Sequence, residues 1–148
     1  MKILIVEDDS TKYENIAKLL EENKIETVLK KSYNSGLNEI LEKEYDYLIL
    51  DMSLPTYDDE YNIEEIKVFA GIDILKQMKR YKKNIKTIII TQFETFSNPN
   101  EWDKKIKINE LKEKLENLKN SNYKDIIYYD VSSDLWGKKL IQIIMDRE

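Results

Sequence analysis

The sequence predicts an α/β fold: one parallel five-stranded sheet with helices packed on both of its faces. Two observations carry this. Short apolar runs rich in Ile and Val recur at Ile3 to Val6, Ile25 to Leu29, Tyr47 to Leu50, Thr87 to Ile90 and Ile126 to Tyr129, and such continuous runs suit strands covered on both sides. Between and after them lie segments of helical period, each with one apolar stripe.

Taken in chain order, the stripes are Tyr13, Ile16, Ala17 and Leu20; then Leu37, Ile40 and Leu41; then Ile72, Leu75 and Met78; then Ile108, Leu111, Leu115 and Leu118; and, after the last strand, Trp136, Leu140, Ile143 and Ile144. Each strand is thus followed by a helix, which defines a (βα)₅ chain. Ser10 is placed as the start of the first helix and Asp134 as the start of the last, with Gly36 and Gly71 weaker as boundary marks. Right-handed crossovers put these strands in one parallel sheet, with flavodoxin-like order 2-1-3-4-5.

The chain of 148 residues is 41% hydrophobic and 36% charged, enough apolar material for a core inside a strongly solvated surface. That length predicts one domain over residues 1–148, with no separately folded output unit. The longest apolar runs fall far short of the roughly 20 residues that span a bilayer, and the start of the chain runs from Ile3 to Val6 directly into carboxylates. The expectation is no membrane insertion, no secretory signal and a cytoplasmic location. A net charge of −5 disfavours direct nucleic-acid binding, which needs clustered Lys and Arg.

No Cys and no His are present, which removes disulfides, thiolate and imidazole chemistry and the usual zinc ligand sets. Carboxylates must carry any chemistry. The first strand ends in Glu7-Asp8-Asp9 and the third in Asp51. In the order 2-1-3-4-5 these strands are neighbours, and the switch point between them opens a crevice at their carboxyl ends, where open α/β sheets bind ligands. Two negative charges about 4 Å apart repel by about 1 kcal/mol in water and several times more at an effective dielectric near 20. A cation is therefore expected. Mg²⁺ takes hard oxygen ligands and keeps several waters, so Asp8, Asp51 and the Ser53 backbone carbonyl can supply its protein ligands. Asp9 reads as a helix cap instead, because carboxylates are favoured at helix N-termini.

The sequence Ile3-Leu4-Ile5-Val6-Glu7-Asp8-Asp9, then Asp51-Met52-Ser53-Leu54-Pro55, then Ile88-Ile89-Ile90-Thr91 resembles the receiver domain of two-component response regulators over nearly the whole chain. The resemblance implies that Asp51 is the phosphoacceptor, served by a histidine kinase or phosphotransfer protein. It implies that Asp8 binds Mg²⁺ directly, that Glu7 binds it through water, that Ser53 offers its backbone oxygen, and that Thr91 is the switch hydroxyl. Signalling would pass to a downstream protein target rather than through turnover of a substrate. The chemistry agrees, since an aspartate can attack phosphorus while Mg²⁺ neutralises the transferring oxygens.

The chain also departs from the family. Receivers usually carry a Lys followed by Pro at the end of the fifth strand, where the Lys contacts the phosphoryl group, but the segment here reads Ile126-Ile127-Tyr128-Tyr129-Asp130-Val131-Ser132. Loss of a positioned cation weakens transition-state stabilisation by a few kcal/mol in comparable sites. Gln92 follows Thr91, where receivers usually have a small residue. The family's Asp-Gly turn is displaced to Gly71, behind an inserted segment of about 56–70 that carries Asp58, Asp59, Glu60, Glu64 and Glu65 beside Tyr57, Tyr61 and Phe69. A second expansion, 92–122, holds the stripe ending at Leu118 and the i,i+4 pairs Glu101–Lys105 and Glu110–Lys114, which favour an exposed helix face. Receivers commonly signal through the face of the fourth helix, fifth strand and fifth helix.

Three readings follow: a phosphorylatable receiver, a receiver-like adaptor with weak or no phosphotransfer, and a Mg²⁺-dependent phosphohydrolase. Ser53 argues against the last, because Asp-x-Asp enzymes place a second acid there. No Gly-rich phosphate loop follows any strand.

Overall fold

The computed structural model describes residues 1–58, 66–92, 95–97, 105–107, 110, 113, 115, 116 and 123–146. In chain order the elements are β1 (Lys2–Val6), α1 (Ser10–Glu22), β2 (Glu26–Lys30), α2 (Tyr33–Glu42), β3 (Tyr47–Leu50), β4 (Leu54–Pro55), β5 (Ile66–Lys67), α3 (Ala70–Arg80), β6 (Lys86–Thr91), β7 (Thr95–Ser97), β8 (Lys105–Lys107), β9 (Tyr123–Tyr128) and α4 (Leu135–Met145).

The main sheet has the order β2-β1-β3-β6-β9, and every pairing within it is parallel. Counting only these five strands, this is the predicted order 2-1-3-4-5. Two small antiparallel pairs are added to it. β4 pairs with β5 across the first inserted segment, and β7 pairs with β8 within the second.

Alternation along the strands explains why the apolar runs are continuous. Ile3, Ile5, Ile49, Ile88, Ile90 and Ile127 face one side, where Ile16, Ala17 and Leu20 of α1 and Leu140 and Ile144 of α4 cover them. Leu4, Val6, Leu48, Leu50, Ile89 and Ile126 face the other, against Ile40 of α2 and Ile74, Leu75 and Met78 of α3. Leu115 of the fourth stripe is buried in the second cluster, and Glu110, Glu113, Leu115 and Glu116 are helical. Lys105, expected to pair with Glu101 on a helix face, is instead the first residue of the strand β8, because its backbone is taken up in the antiparallel pairing with β7. Ile108, Leu111, Leu118, Glu101, Lys114 and residues 59–65 lie outside the described residues. Full burial of each such Leu, Ile or Val is worth about 1.5–3 kcal/mol, so the two layers dominate folding.

Helix starts are set by local hydrogen bonding. Asp9, not Ser10, is the N-cap of α1: its Oδ1 accepts from the backbone N–H groups of Thr11 at 3.0 Å and Lys12 at 3.1 Å, and Ser10 is the first helical residue. Aspartate wins because its carboxylate meets both the unpaired N–H groups and the positive end of the helix dipole. Ser32 caps α2 in a reciprocal arrangement with Ser35. Asp134 stands at the N-cap position of α4 but makes no side-chain cap bond.

The two glycines first read as boundaries are packing positions. Gly36 lies inside α2, where a Cβ would come within 2.7 Å of Val6 Cγ1. The buried face of α2 is therefore Gly36, Glu39 and Ile40, with Leu37 and Leu41 only half-buried. Gly71 lies in the first turn of α3; its N–H donates to the Met52 carbonyl at 3.0 Å, and a Cβ there would sit 3.3 Å from the Asp51 carbonyl oxygen. It lets α3 close on the backbone immediately after β3. No described helix is long and apolar enough to cross a membrane.

Candidate functional site

β1 and β3 end side by side, and the ladder between them runs one residue past the strands, with the Asp51 N–H donating to the Val6 carbonyl at 3.1 Å. That bond brings Asp51 beside Glu7 and Asp8. One carboxylate oxygen from each of the three lies within 4.8 Å of the others. Glu7 and Asp51 are 3% and 5% exposed, whereas Asp8 opens to solvent. The predicted convergence of strand-end acids is therefore present.

Their electrostatics show a surplus of negative charge. The Glu7 carboxyl is pushed up to about 8, first by burial and then by the Asp51 charge, which together outweigh the attraction of Lys12 and a hydrogen bond from the Asp9 backbone. Asp8 is raised for the same leading reasons, burial and Asp51. Among the described residues Asp51 Oδ1 is buried without a hydrogen-bond partner, although a buried carboxylate oxygen is costly to leave unsatisfied. An all-oxygen donor set, an unsatisfied inward oxygen and raised neighbouring acids fit Mg²⁺, which needs only one or two carboxylates and completes its shell with water.

The remaining predicted residues fall around this cluster. A cleft of about 210 Å³ is lined by Asp8, Asp9, Asp51, Ser53, Leu54, Pro55, Ile66 and Gln92. Ser53 and Gln92 are thus at the opening, and Ile66 brings the end of the first inserted segment to the cleft wall. The Ser53 hydroxyl donates to the Val68 carbonyl at 2.8 Å, which ties the two sides of that insertion together. Thr91 closes β6 and is fully buried; its carbonyl accepts from the Tyr129 N–H at 2.7 Å. It is not among the residues lining the cleft.

A residue that sequence reasoning missed sits at the centre of the site. Lys12, from the first turn of α1, is 1% exposed. Its ammonium meets Glu7 Oε2 at 2.6 Å, the Ile90 carbonyl at 2.7 Å and Asp51 Oδ2 at 3.4 Å. The signal was available in the pattern: Lys12 lies four residues before Ile16 and eight before Leu20, in line with the buried face of α1, so a charged residue extends an apolar stripe toward the acidic crevice.

At the end of β9 the first residue past the strand is Tyr129, not lysine. It is buried, its ring packs against Trp136 at a centroid distance of 4.9 Å, and its hydroxyl accepts from Asn15 Nδ2 of α1 at 2.8 Å.

Comparison with known families decides the identity of this arrangement. The sequence model of the response regulator receiver domain matches residues 3–104. The chain belongs to the response-regulator receiver family. The matched stretch holds Glu7, Asp8, Lys12, Asp51 and Thr91, while β9 and α4, where the family's Lys-Pro pair is missing, lie beyond it. This receiver is 28% identical to the Detocs response regulatory protein DtcB of Enterobacter cloacae, with 99% of each chain covered. It is 31% identical to an uncharacterised protein of Sinorhizobium fredii, across 65% of this receiver and 67% of that protein. Among solved structures, a receiver domain protein from Clostridium thermocellum superposes with a TM-score of 0.64 at 23% identity, covering 97% and 90% of the two chains. The response regulator TrrA of Thermotoga maritima, solved in complex with Mg²⁺-BeF, gives 0.62 at 17% identity, covering 96% and 97%. The receiver is a component of two-component signalling, and its fold is the flavodoxin-like one that the strand order predicted.

Proposed function

We propose that this receiver accepts a phosphoryl group on Asp51 from a histidine kinase or phosphotransfer protein and signals by changing its affinity for a downstream protein. One observation carries the reading: a buried aspartate at the end of β3 keeps one oxygen, Oδ1, without a partner among the described residues in a crevice shared with Glu7 and Asp8. An oxygen so placed is a nucleophile held out of bulk water.

Asp8 and Asp51 would hold Mg²⁺ directly, with the Ser53 carbonyl as a further ligand and Glu7 acting through water. When bound, the ion supplies neutralisation of the charge on the transferring oxygens. In the transfer, an Asp51 carboxylate oxygen forms the bond to phosphorus while the bond from phosphorus to the donor's leaving atom breaks, and that atom departs with its electron pair. Thr91, at the adjoining end of β6, would donate its hydroxyl to a phosphoryl oxygen and pass the change to the β6–β9 side of the sheet. Residues 1–148 act in this reading as one receiver unit with two expanded loops, and the protein works stoichiometrically rather than as a turnover enzyme.

Intact-mass spectrometry after incubation with Mg²⁺ and acetyl phosphate tests this. A phosphate-sized gain in the native chain that is lost in Asp51→Asn is the expected result. No gain, with Mg²⁺ binding intact and with a set of histidine kinases also failing as donors, would replace it with the adaptor reading. Release of phosphate from general phosphoesters would replace it with a phosphohydrolase.

A further inference from the structure

An acyl phosphate on Asp51 brings close to two negative charges into a crevice that already holds three acids. Preorganised cations in such sites are usually the largest single contribution to phosphoryl transfer. Among the described residues, the one ion pair that Asp51 makes is with Lys12.

We infer that Lys12 is the phosphoryl-contacting cation of this receiver, supplied from α1 because Tyr129 fills the strand-end position. The inference rests on the Asp51 reading above and adds to it a catalytic residue.

Three features separate this ammonium from an ordinary surface lysine. It is almost wholly buried, a state in which Lys is found only with partners, and its three donors are matched by three acceptors: Glu7, Ile90 and Asp51. Two of these contacts are short, and the one to Asp51 is the longest. The ammonium is thus anchored by Glu7 and the β6 backbone, with its least committed contact facing the acceptor, where new oxygens would arrive. Its stem is also fixed, because the Lys12 N–H is held by the Asp9 cap and the next residues of the same helix face, Ile16, Ala17 and Leu20, are locked into the core.

Tyr129 completes the arrangement. The lysine ammonium stands 6.0 Å from the centroid of its ring, and the phenol is tied to Asn15, one turn along α1 from Lys12. The ring therefore walls the buried cation on the side from which a strand-end lysine would come, and α1 and the β9 end are joined by side chains of both.

The same geometry makes Lys12 a competitor of the metal before transfer, since it occupies oxygens of Glu7 and Asp51 that a divalent ion would use. Loss of the ammonium should have two opposite effects: tighter Mg²⁺ binding and slower phosphorylation. A purely structural counter-ion would not slow transfer once Mg²⁺ is saturating.

The test compares native protein, Lys12→Met and Lys12→Arg. Mg²⁺ affinity is read by calorimetric titration, and the rate of acyl phosphate formation from acetyl phosphate by intact mass at saturating Mg²⁺. The expected result is Mg²⁺ binding at least a few-fold tighter in Lys12→Met together with phosphorylation at least about tenfold slower, and Lys12→Arg nearer the native rate because it keeps the charge. If Lys12→Met fails to fold, Glu7→Gln against Glu7→Gln/Lys12→Met makes the same comparison without leaving the Glu7 carboxylate unpaired. A native rate in the variant lacking the ammonium, or weaker Mg²⁺ binding, would overturn the role of Lys12 while leaving Asp51 as acceptor. No phosphate on the native protein from any donor would overturn both.

Discussion

Lys12 Nζ lies 2.6 Å from Glu7 Oε2, and both side chains are sealed from solvent. A buried ion pair adds little net stability over an apolar pair, because desolvation offsets the attraction, but removing one partner leaves the other charge uncompensated and costs about 3–5 kcal/mol. Above about pH 8, where Glu7 is ionised, Lys12→Ala is therefore expected to lose stability of about that size in urea unfolding with a chelator present. Millimolar Mg²⁺ should restore a substantial part by supplying the missing positive charge. A loss under about 1 kcal/mol would mean that the pair is far better solvated than its burial indicates.

The Glu7 carboxyl titrates near 8 in the folded chain instead of 4.5. Between those values the folded state holds a proton that the unfolded state has released, so stability must fall as pH rises through the window. The metal-free protein should show a falling Tm from about pH 5 to about pH 8, and Glu7→Gln should flatten that slope. Binding of Mg²⁺ near pH 7 should release protons, seen as a dependence of the calorimetric heat on buffer ionisation enthalpy. A Tm that is flat across the window in the metal-free native protein would show that Glu7 is ionised throughout.

Ser53 has two separable parts. Its hydroxyl spans the inserted segment to the Val68 carbonyl, whereas only its backbone oxygen is proposed as a metal ligand. Ser53→Ala should cost about 1 kcal/mol, or a Tm lower by about 2–4 °C for a chain of this size, with Mg²⁺ affinity unchanged within about twofold. A tenfold loss of affinity would mean that the hydroxyl serves the ion.

Gly36 faces Val6 with no room for a methyl group. Alanine has the better helix propensity by about 1 kcal/mol, but overpacking a stiff β-branched neighbour costs about 1–3 kcal/mol, so Gly36→Ala should be net destabilising in chemical denaturation. Val6→Ala placed in the Gly36→Ala background should be less damaging than in the native chain, because the two positions share one space.

The sequence alone was sufficient for the sheet order and for the meeting of Glu7, Asp8 and Asp51. Continuous apolar runs mark strands buried on both faces, right-handed crossovers place them in one parallel sheet, and in the flavodoxin-like order taken for it β1 and β3 are neighbours, so that residues one step past their ends meet. The reading of Asp9 as a helix cap was legible for the same reason, since a cap acts on N–H groups two and three residues away.

Tertiary structure alone decided the cation. Lys12 contacts a carbonyl 78 residues away in sequence, and that contact exists only once α1 has docked on the sheet at one particular rotation. The roles of Gly36 and Gly71 are of the same kind: each is required by how closely a helix approaches one strand's backbone or side chain. Periodicity reports which face of an element is buried, because that depends on local repeat. What the buried face meets depends on distances between elements, which arise only when the whole chain packs.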